Sequence, residues 1–246
     1  MKITDDVYLV GSGRSGFSMT HKCDCHVYLL KGSEGCIMFD AGVGLEVDRI
    51  IGTILSDGLD PESVGHVFIT HVHSDHAGGS AELREKLGAQ IHVPKSGAHL
   101  LRTGDEEGLS LPVARADGVY PEDYTFPKCE PDTELEGGET FTFGDISLRA
   151  IHTPGHSADS MCYLAEVNGK RILFSGDVVL HEGLLLFLNC PGSTMEGFRG
   201  SMSKLGGLGI DMLMPGHGAF VLSGAQEHVE KAIEALKHLA PPPAMW

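Results

Sequence analysis

Short apolar or alternating runs recur along the chain with turn residues between them, the pattern of β-strands joined by tight connections. They fall at 7–10, 26–30, 36–40, 66–70, 90–93, 140–143, 146–151, 161–167, 171–175 and 212–214. Apolar residues spaced three and four apart predict helices over 45–56, 80–87, 95–101, 195–205 and 224–239. The last helix is expected to stop before Pro241-Pro242-Pro243, because proline cannot continue it. Strands interleaved with helices predict an α/β protein in which helices cover sheets. Two stretches fit no regular element. One is 103–131, which mixes acidic residues, glycines and four prolines, and the other is the more apolar 180–193. Both are read as insertions into a single domain spanning 1–246. A connection as long as the first is a lid, an interface between two copies of the chain, or a merely mobile loop.

Composition narrows the function classes. Glycine supplies 33 of 246 residues, roughly 13% against a usual ~7%, which fits many tight turns brought close to a site. A net charge of −16 argues against a nucleic-acid partner, since displacing counterions from phosphates needs a basic patch. No apolar run reaches the ~18 residues that span a membrane, and the first residues lack the regions of a signal peptide. A cytoplasmic location and a small-molecule substrate are the resulting expectations, with a homodimer left open. The six cysteines match no structural zinc spacing, and Cys23 and Cys25 read as a reduced pair entering a buried strand.

The candidate chemistry is concentrated in Thr70-His71-Val72-His73-Ser74-Asp75-His76-Ala77-Gly78-Gly79, directly after an apolar run. Imidazole and carboxylate are the side chains that bind zinc, iron and manganese. Residues two apart on an extended chain share a side, so His71 and His73 can grip one ion, while Asp75 and His76 face a second. The two glycines are expected to let the next helix begin. Three later segments repeat the theme of an apolar strand followed by a glycine turn and one ligand. These are Pro154-Gly155-His156, Gly176-Asp177 and Pro215-Gly216-His217. Polar groups at strand ends converge on one edge of a sheet. Together the segments supply seven ligands, enough for two ions with room left for water.

Taken in order, Asp40, the His71-x-His73-x-Asp75-His76 segment, His156, Asp177 and His217 resemble the metallo-β-lactamase superfamily of metal-dependent hydrolases, over roughly 27–218. The resemblance implies a four-layer αββα sandwich with the metals at one edge of its two sheets. It implies that His71, His73 and His156 hold one ion, that Asp75, His76 and His217 hold the other, and that Asp177 bridges them. Asp40 would orient the ligands by hydrogen bonding. The implied cofactors are two divalent ions per chain, zinc in the first place, with iron or manganese as alternatives. The implied reaction is attack by a metal-bridging hydroxide on the carbonyl of a small ester, thioester, lactone or amide, with Asp75 both ligating and orienting the nucleophile's proton.

Departures narrow the branch. Asp177 resembles the glyoxalase II, lactonase and ribonuclease branches, whereas true β-lactamases carry cysteine or serine there. Leu180 stands where acyl-homoserine lactonases carry tyrosine. The alternative within the same fold is a persulfide dioxygenase, an oxidoreductase that uses one iron. Arg14 in its glycine-rich loop, and His181 and Glu182 just past Asp177, are candidate substrate contacts.

Overall fold

The computed structural model describes residues 1–239 and Pro242, so Pro241 and Pro243, expected to stop the last helix, lie outside the described residues. The chain divides into two compact units, Met1–Leu135 and Glu136–Trp246.

The first unit runs β1 (Val7–Gly11), β2 (Val27–Gly32), β3 (Gly35–Phe39), α1 (Val47–Ser56), β4 (Val64–Phe68), α2 (Ser74–Ala77), α3 (Ser80–Leu87), β5 (Gln90–Pro94), α4 (Ala98–Thr103), α5 (Leu111–Ala116) and β6 (Thr133–Leu135). Its six strands form one sheet in sequence order. β1, β2 and β3 are antiparallel neighbours, and from β3 to β6 the pairing is parallel. Parallel neighbours need crossovers. α1 supplies the one from β3 to β4, burying Val47, Ile50 and Ile54 along a single stripe. α3 belongs to the next, from β4 to β5.

Because β3 and β4 run in the same direction, the residues that follow them meet at one edge. Asp40 N–H donates to the Phe68 carbonyl at 3.0 Å, Ala41 N–H to the His76 carbonyl at 2.7 Å, and Gly79 N–H to the Gly42 carbonyl at 3.0 Å. The glycines of the histidine motif serve this contact through their size. Gly78 has φ −62° and Gly79 φ −81°, values open to any residue. A Cβ on Gly78 would instead lie 2.3 Å from the Val43 carbonyl oxygen, and one on Gly79 would lie 2.1 Å from that of Ala41. Gly79→Ala is therefore expected to cost about 2 kcal/mol or more through forced separation of the two loops. Urea unfolding checks this, and an unchanged midpoint would refute it.

His66 on β4 and His92 on β5 pair within this sheet, Nδ1 to Nε2 at 3.0 Å, with His92 stacked on Phe68. Burial, helped by His66, lowers the His92 pKa to about 4. The folded state therefore resists a proton that the unfolded chain accepts near pH 6.5. The neutral pair stabilises fully above pH 6.5, and that stability is lost as pH falls toward 4. The loss expected from His92 is about 3 kcal/mol. Urea unfolding of wild type and His92→Gln between pH 7 and 4 isolates it, and parallel pH profiles for the two would refute it.

The second unit runs β7 (Thr140–Phe143), β8 (Ile146–His152), β9 (Met161–Val167), β10 (Lys170–Gly176), α6 (Met195–Leu205), β11 (Met212–Pro215) and α7 (Gln226–Ala235). The sheet order is β11-β10-β9-β8-β7. β7 to β10 form an antiparallel meander, while β11 pairs parallel with β10, α6 lying in the crossover. β8, β10 and β11 therefore point the same way, and their carboxyl ends share one edge. Thr194 caps α6, its hydroxyl accepting from Gly197 N–H at 3.1 Å. Ile151, Leu164, Leu173, Phe198, Leu213 and Val229 belong to one buried cluster that packs the helices on this sheet.

Three expectations require correction. The 103–131 stretch is not structureless: Thr103 closes α4, and α5 forms within it. Arg115 holds that segment, donating to the Tyr124 carbonyl at 2.7 Å and to Glu106 at 2.6 Å. The 180–193 stretch contains a single 3-10 turn at His181–Gly183. α4 begins later than expected because Lys95, Ser96 and Gly97 form a turn, with Gly97 N–H donating to the Pro94 carbonyl at 2.9 Å. Among the described residues no helix is long and apolar enough to cross a membrane.

Candidate metal centre

Four of the seven predicted ligands lie in the first unit, just beyond β4. His71 and His76 are buried, His73 and Asp75 partly so. His71 Nε2 faces His73 Nδ1 at 3.0 Å. His76 Nδ1 lies 2.9 Å from Asp40 Oδ2, and its Nε2 lies 3.5 Å from Asp75 Oδ2. Asp40 is the hinge of this arrangement. It follows β3 with φ +62°, a left-handed conformation that costs most side chains energy, aspartate less than others. That turn points its carboxylate at the next loop, where it accepts from Thr70 N–H at 2.7 Å, Thr70 Oγ1 at 2.9 Å and His76 Nδ1. Burial pushes the Asp40 pKa up, opposed chiefly by His76 and Thr70.

The other three predicted ligands lie in the second unit, each just beyond one of the three co-directed strands. His156 follows β8, Asp177 follows β10 and His217 follows β11. All three are buried. Asp177 Oδ2 stands 3.5 Å from His156 Nε2 and 3.4 Å from His217 Nε2. His156 Nδ1 lies 2.6 Å from the Leu186 carbonyl oxygen, so that nitrogen is the donor and Nε2 carries the lone pair.

These distances test whether the residues suit a metal. An imidazole nitrogen with a free lone pair and a carboxylate oxygen repel one another unless a proton or a cation lies between them. Donors about 2.05 Å from a tetrahedral zinc stand about 3.3 Å apart. The four pair distances, 3.0, 3.5, 3.5 and 3.4 Å, straddle that value. Asp40 on His76 and the Leu186 carbonyl on His156 are the outer hydrogen bonds that fix a ligand imidazole's tautomer. The donor sets of both units fit a borderline divalent ion.

The remaining candidates have local partners of their own. Arg14 is exposed, with its N–H donating to the Lys22 carbonyl. His181 and Glu182 form a cluster of their own with His228. There Lys231 Nζ is 2.6 Å from Glu182 Oε2 and holds its carboxyl below the usual range, while Glu182 N–H donates to His228 Nδ1 at 2.8 Å. His228, which belongs to none of the sequence motifs, thus organises this turn from α7. Cys25 is buried beside Asp40 and His76, and burial pushes its thiol pKa up.

One residue near the motif carried no sequence signal. Tyr120, within the 103–131 insertion, donates its hydroxyl to Asp75 Oδ1 at 2.8 Å. Burial, with Asp75 beside it, keeps that phenol well above its ordinary pKa. Thr70, by contrast, stood in the motif itself, and a hydroxyl immediately before the first histidine was a readable hint.

The profile of the Metallo-beta-lactamase superfamily matches residues 22–217. The chain belongs to the metallo-β-lactamase superfamily. A solved metallo-β-lactamase of Cronobacter sakazakii, carrying a HARLDQ motif, superposes with a TM-score of 0.75 at 21% identity, covering 96% of this chain and 95% of that one. That likeness shows the shared α/β metallo-β-lactamase fold. Among curated superfamily proteins, the lactamase-like protein nscB of Neosartorya fischeri is 31% identical over 82% of this chain and 50% of its own length. An acyl-coenzyme A thioesterase, MBLAC2 of Gallus gallus, is 30% identical over 82% of this chain and 74% of its own. The chain spans about half the length of the first curated relatives it matches.

Proposed function

We propose that this superfamily member is a binuclear metal-dependent hydrolase of small carbonyl substrates, with thioesters the favoured class. The observation that carries the reading is the Asp177 carboxylate, flanked by two imidazole nitrogens at 3.4 and 3.5 Å. In this proposal the two units form one domain and pool their ligands: His71, His73 and His156 for one ion, Asp75, His76 and His217 for the other, and Asp177 for both. The superfamily match across 22–217, which takes in all seven residues, supports that pooling. The thioester preference draws on the acyl-coenzyme A thioesterase relative. The six cysteines are free thiols, which supports a cytoplasmic compartment.

Bound zinc ions would supply hydroxide at neutral pH and polarise the substrate carbonyl. The chain's own part is to keep the ligand atoms deprotonated and aimed. Asp40 draws the His76 proton to Nδ1, leaving Nε2 its lone pair. The Leu186 carbonyl does the same for His156. Asp75, held on its Oδ1 side by Tyr120, presents Oδ2 toward His76 and would orient the nucleophile's proton.

Elemental analysis of the purified protein, paired with a panel of acyl-coenzyme A thioesters, lactones, β-lactams and phosphodiesters, tests the reading. About two zinc ions per chain with thioester hydrolysis are expected. A protein holding one iron and consuming oxygen with a persulfide substrate would overturn it, as would full activity without stoichiometric metal.

A further inference from the structure

The 103–131 insertion is fastened to the metal motif's own unit at three points. Cys23 Sγ donates to the Val119 carbonyl at 3.2 Å. Tyr120 Oη donates to Asp75 Oδ1 at 2.8 Å. Tyr124 Oη donates to the Val43 carbonyl at 2.9 Å. The rings of Tyr120 and Tyr124 stack 5.4 Å apart, and Arg115 anchors Tyr124 from behind through its carbonyl. Val43 lies in the loop after β3 that the Gly78–Gly79 pair approaches, so both tyrosines close on the segment carrying the ligands.

The consequence concerns which oxygen Asp75 offers. Its Oδ1 accepts the tyrosine hydroxyl, and its Oδ2 lies 3.5 Å from His76 Nε2, the spacing of two ligands on one ion. A carboxylate tied through one oxygen has lost the rotation that would let it swing away or bind through both. We propose that Tyr120 is a positioning residue of the metal centre, holding Asp75 so that Oδ2 alone serves as ligand, and that the insertion exists in part to deliver this hydroxyl. The assignment rests on the reading of Asp75 as a metal ligand. It gives the insertion a role in metal retention, distinct from a lid or a dimer contact.

Competition between the purified protein and a chromophoric zinc chelator provides the test, since it reads affinity without any substrate. Tyr120→Phe keeps the ring and its stack on Tyr124 while deleting the hydroxyl. It is expected to weaken the Asp75-dependent zinc site about 10-fold or more, in line with the usual effect of losing a ligand's hydrogen-bond partner. Arg115→Gln removes two bonds that order the insertion without touching Asp75. It is expected to lower the unfolding midpoint and leave zinc affinity within about 2-fold of wild type. Wild-type affinity in Tyr120→Phe would overturn the proposal, and so would an equal loss in Arg115→Gln, which would mark a general effect of loosening the insertion. A wild-type chain that binds no zinc is a separate result, refuting the metal reading itself.

Discussion

Asp177→Ala is expected to leave the protein with about one metal ion or fewer per chain and to lower hydrolysis by more than about 100-fold. The magnitude follows from a comparison with outer partners, whose loss alone costs about 10- to 100-fold in metal affinity or activity. Asp177 would be no outer partner. Its Oδ2 stands 3.4–3.5 Å from two imidazole nitrogens, and it is the one carboxylate in its unit's ligand set. Removing it takes from His156 and His217 the one carboxylate of their own unit, a charge that would help to balance a dication among buried ligands. Asp177→Asn sharpens the experiment, since it keeps the volume and one carbonyl oxygen but deletes the charge. Partial metal retention with a large loss of rate is expected for that variant. Thioester hydrolysis and zinc content measured on the same preparations check both, and a variant that keeps two zinc ions and more than a tenth of the activity would refute the assignment.

The grouping of the candidate ligands within each unit was legible in the sequence because they obey a rule that a strand pattern exposes. Each sits one to eight residues past the end of a strand, next to a glycine or within the histidine cluster. Strands running the same way bring such positions to one edge, as β8, β10 and β11 do for His156, Asp177 and His217. The edges of the fold were harder. β6 is only Thr133–Leu135, too short to show alternation, and it exists because β5 offers it a parallel partner. α5 hides among acidic residues and prolines, with Pro112 at its second position, where proline is tolerated. Tyr120 was invisible for a different reason. Its role depends on a loop folding back over 45 residues to Asp75, a long-range contact that no local spacing encodes. His181 and Glu182 likewise have partners that lie far along the chain. Nearness in sequence to Asp177 suggested substrate contacts, and what the turn at Glu182, with φ +62°, adds is a set of partners on α7, His228 and Lys231, that no local spacing announces.

The second large effect is expected at Asp40, and it separates folding from metal binding. Asp40→Ala should destabilise the protein by about 3 kcal/mol. The lost carboxylate accepts three hydrogen bonds, and each buried donor left without its partner costs about 1–3 kcal/mol. Part of that sum is recovered, because burial already disfavours the ionised Asp40, as its raised pKa shows. Alanine also takes the left-handed φ of +62° less readily than aspartate, which returns about 1 kcal/mol to the cost. Asp40→Asn distinguishes the contributions. An amide oxygen can still accept from Thr70 N–H, so the fold should lose only about 1 kcal/mol. The amide nitrogen, however, would face His76 Nδ1 donor to donor. His76 must then turn its proton to Nε2, the nitrogen needed for the metal, and zinc affinity should fall by about 10- to 100-fold. Urea unfolding and chelator competition read the two effects independently. An Asp40→Asn protein that binds zinc like wild type would show that His76 keeps its tautomer without Asp40, while an Asp40→Ala protein of wild-type stability would remove Asp40 from the account of the fold.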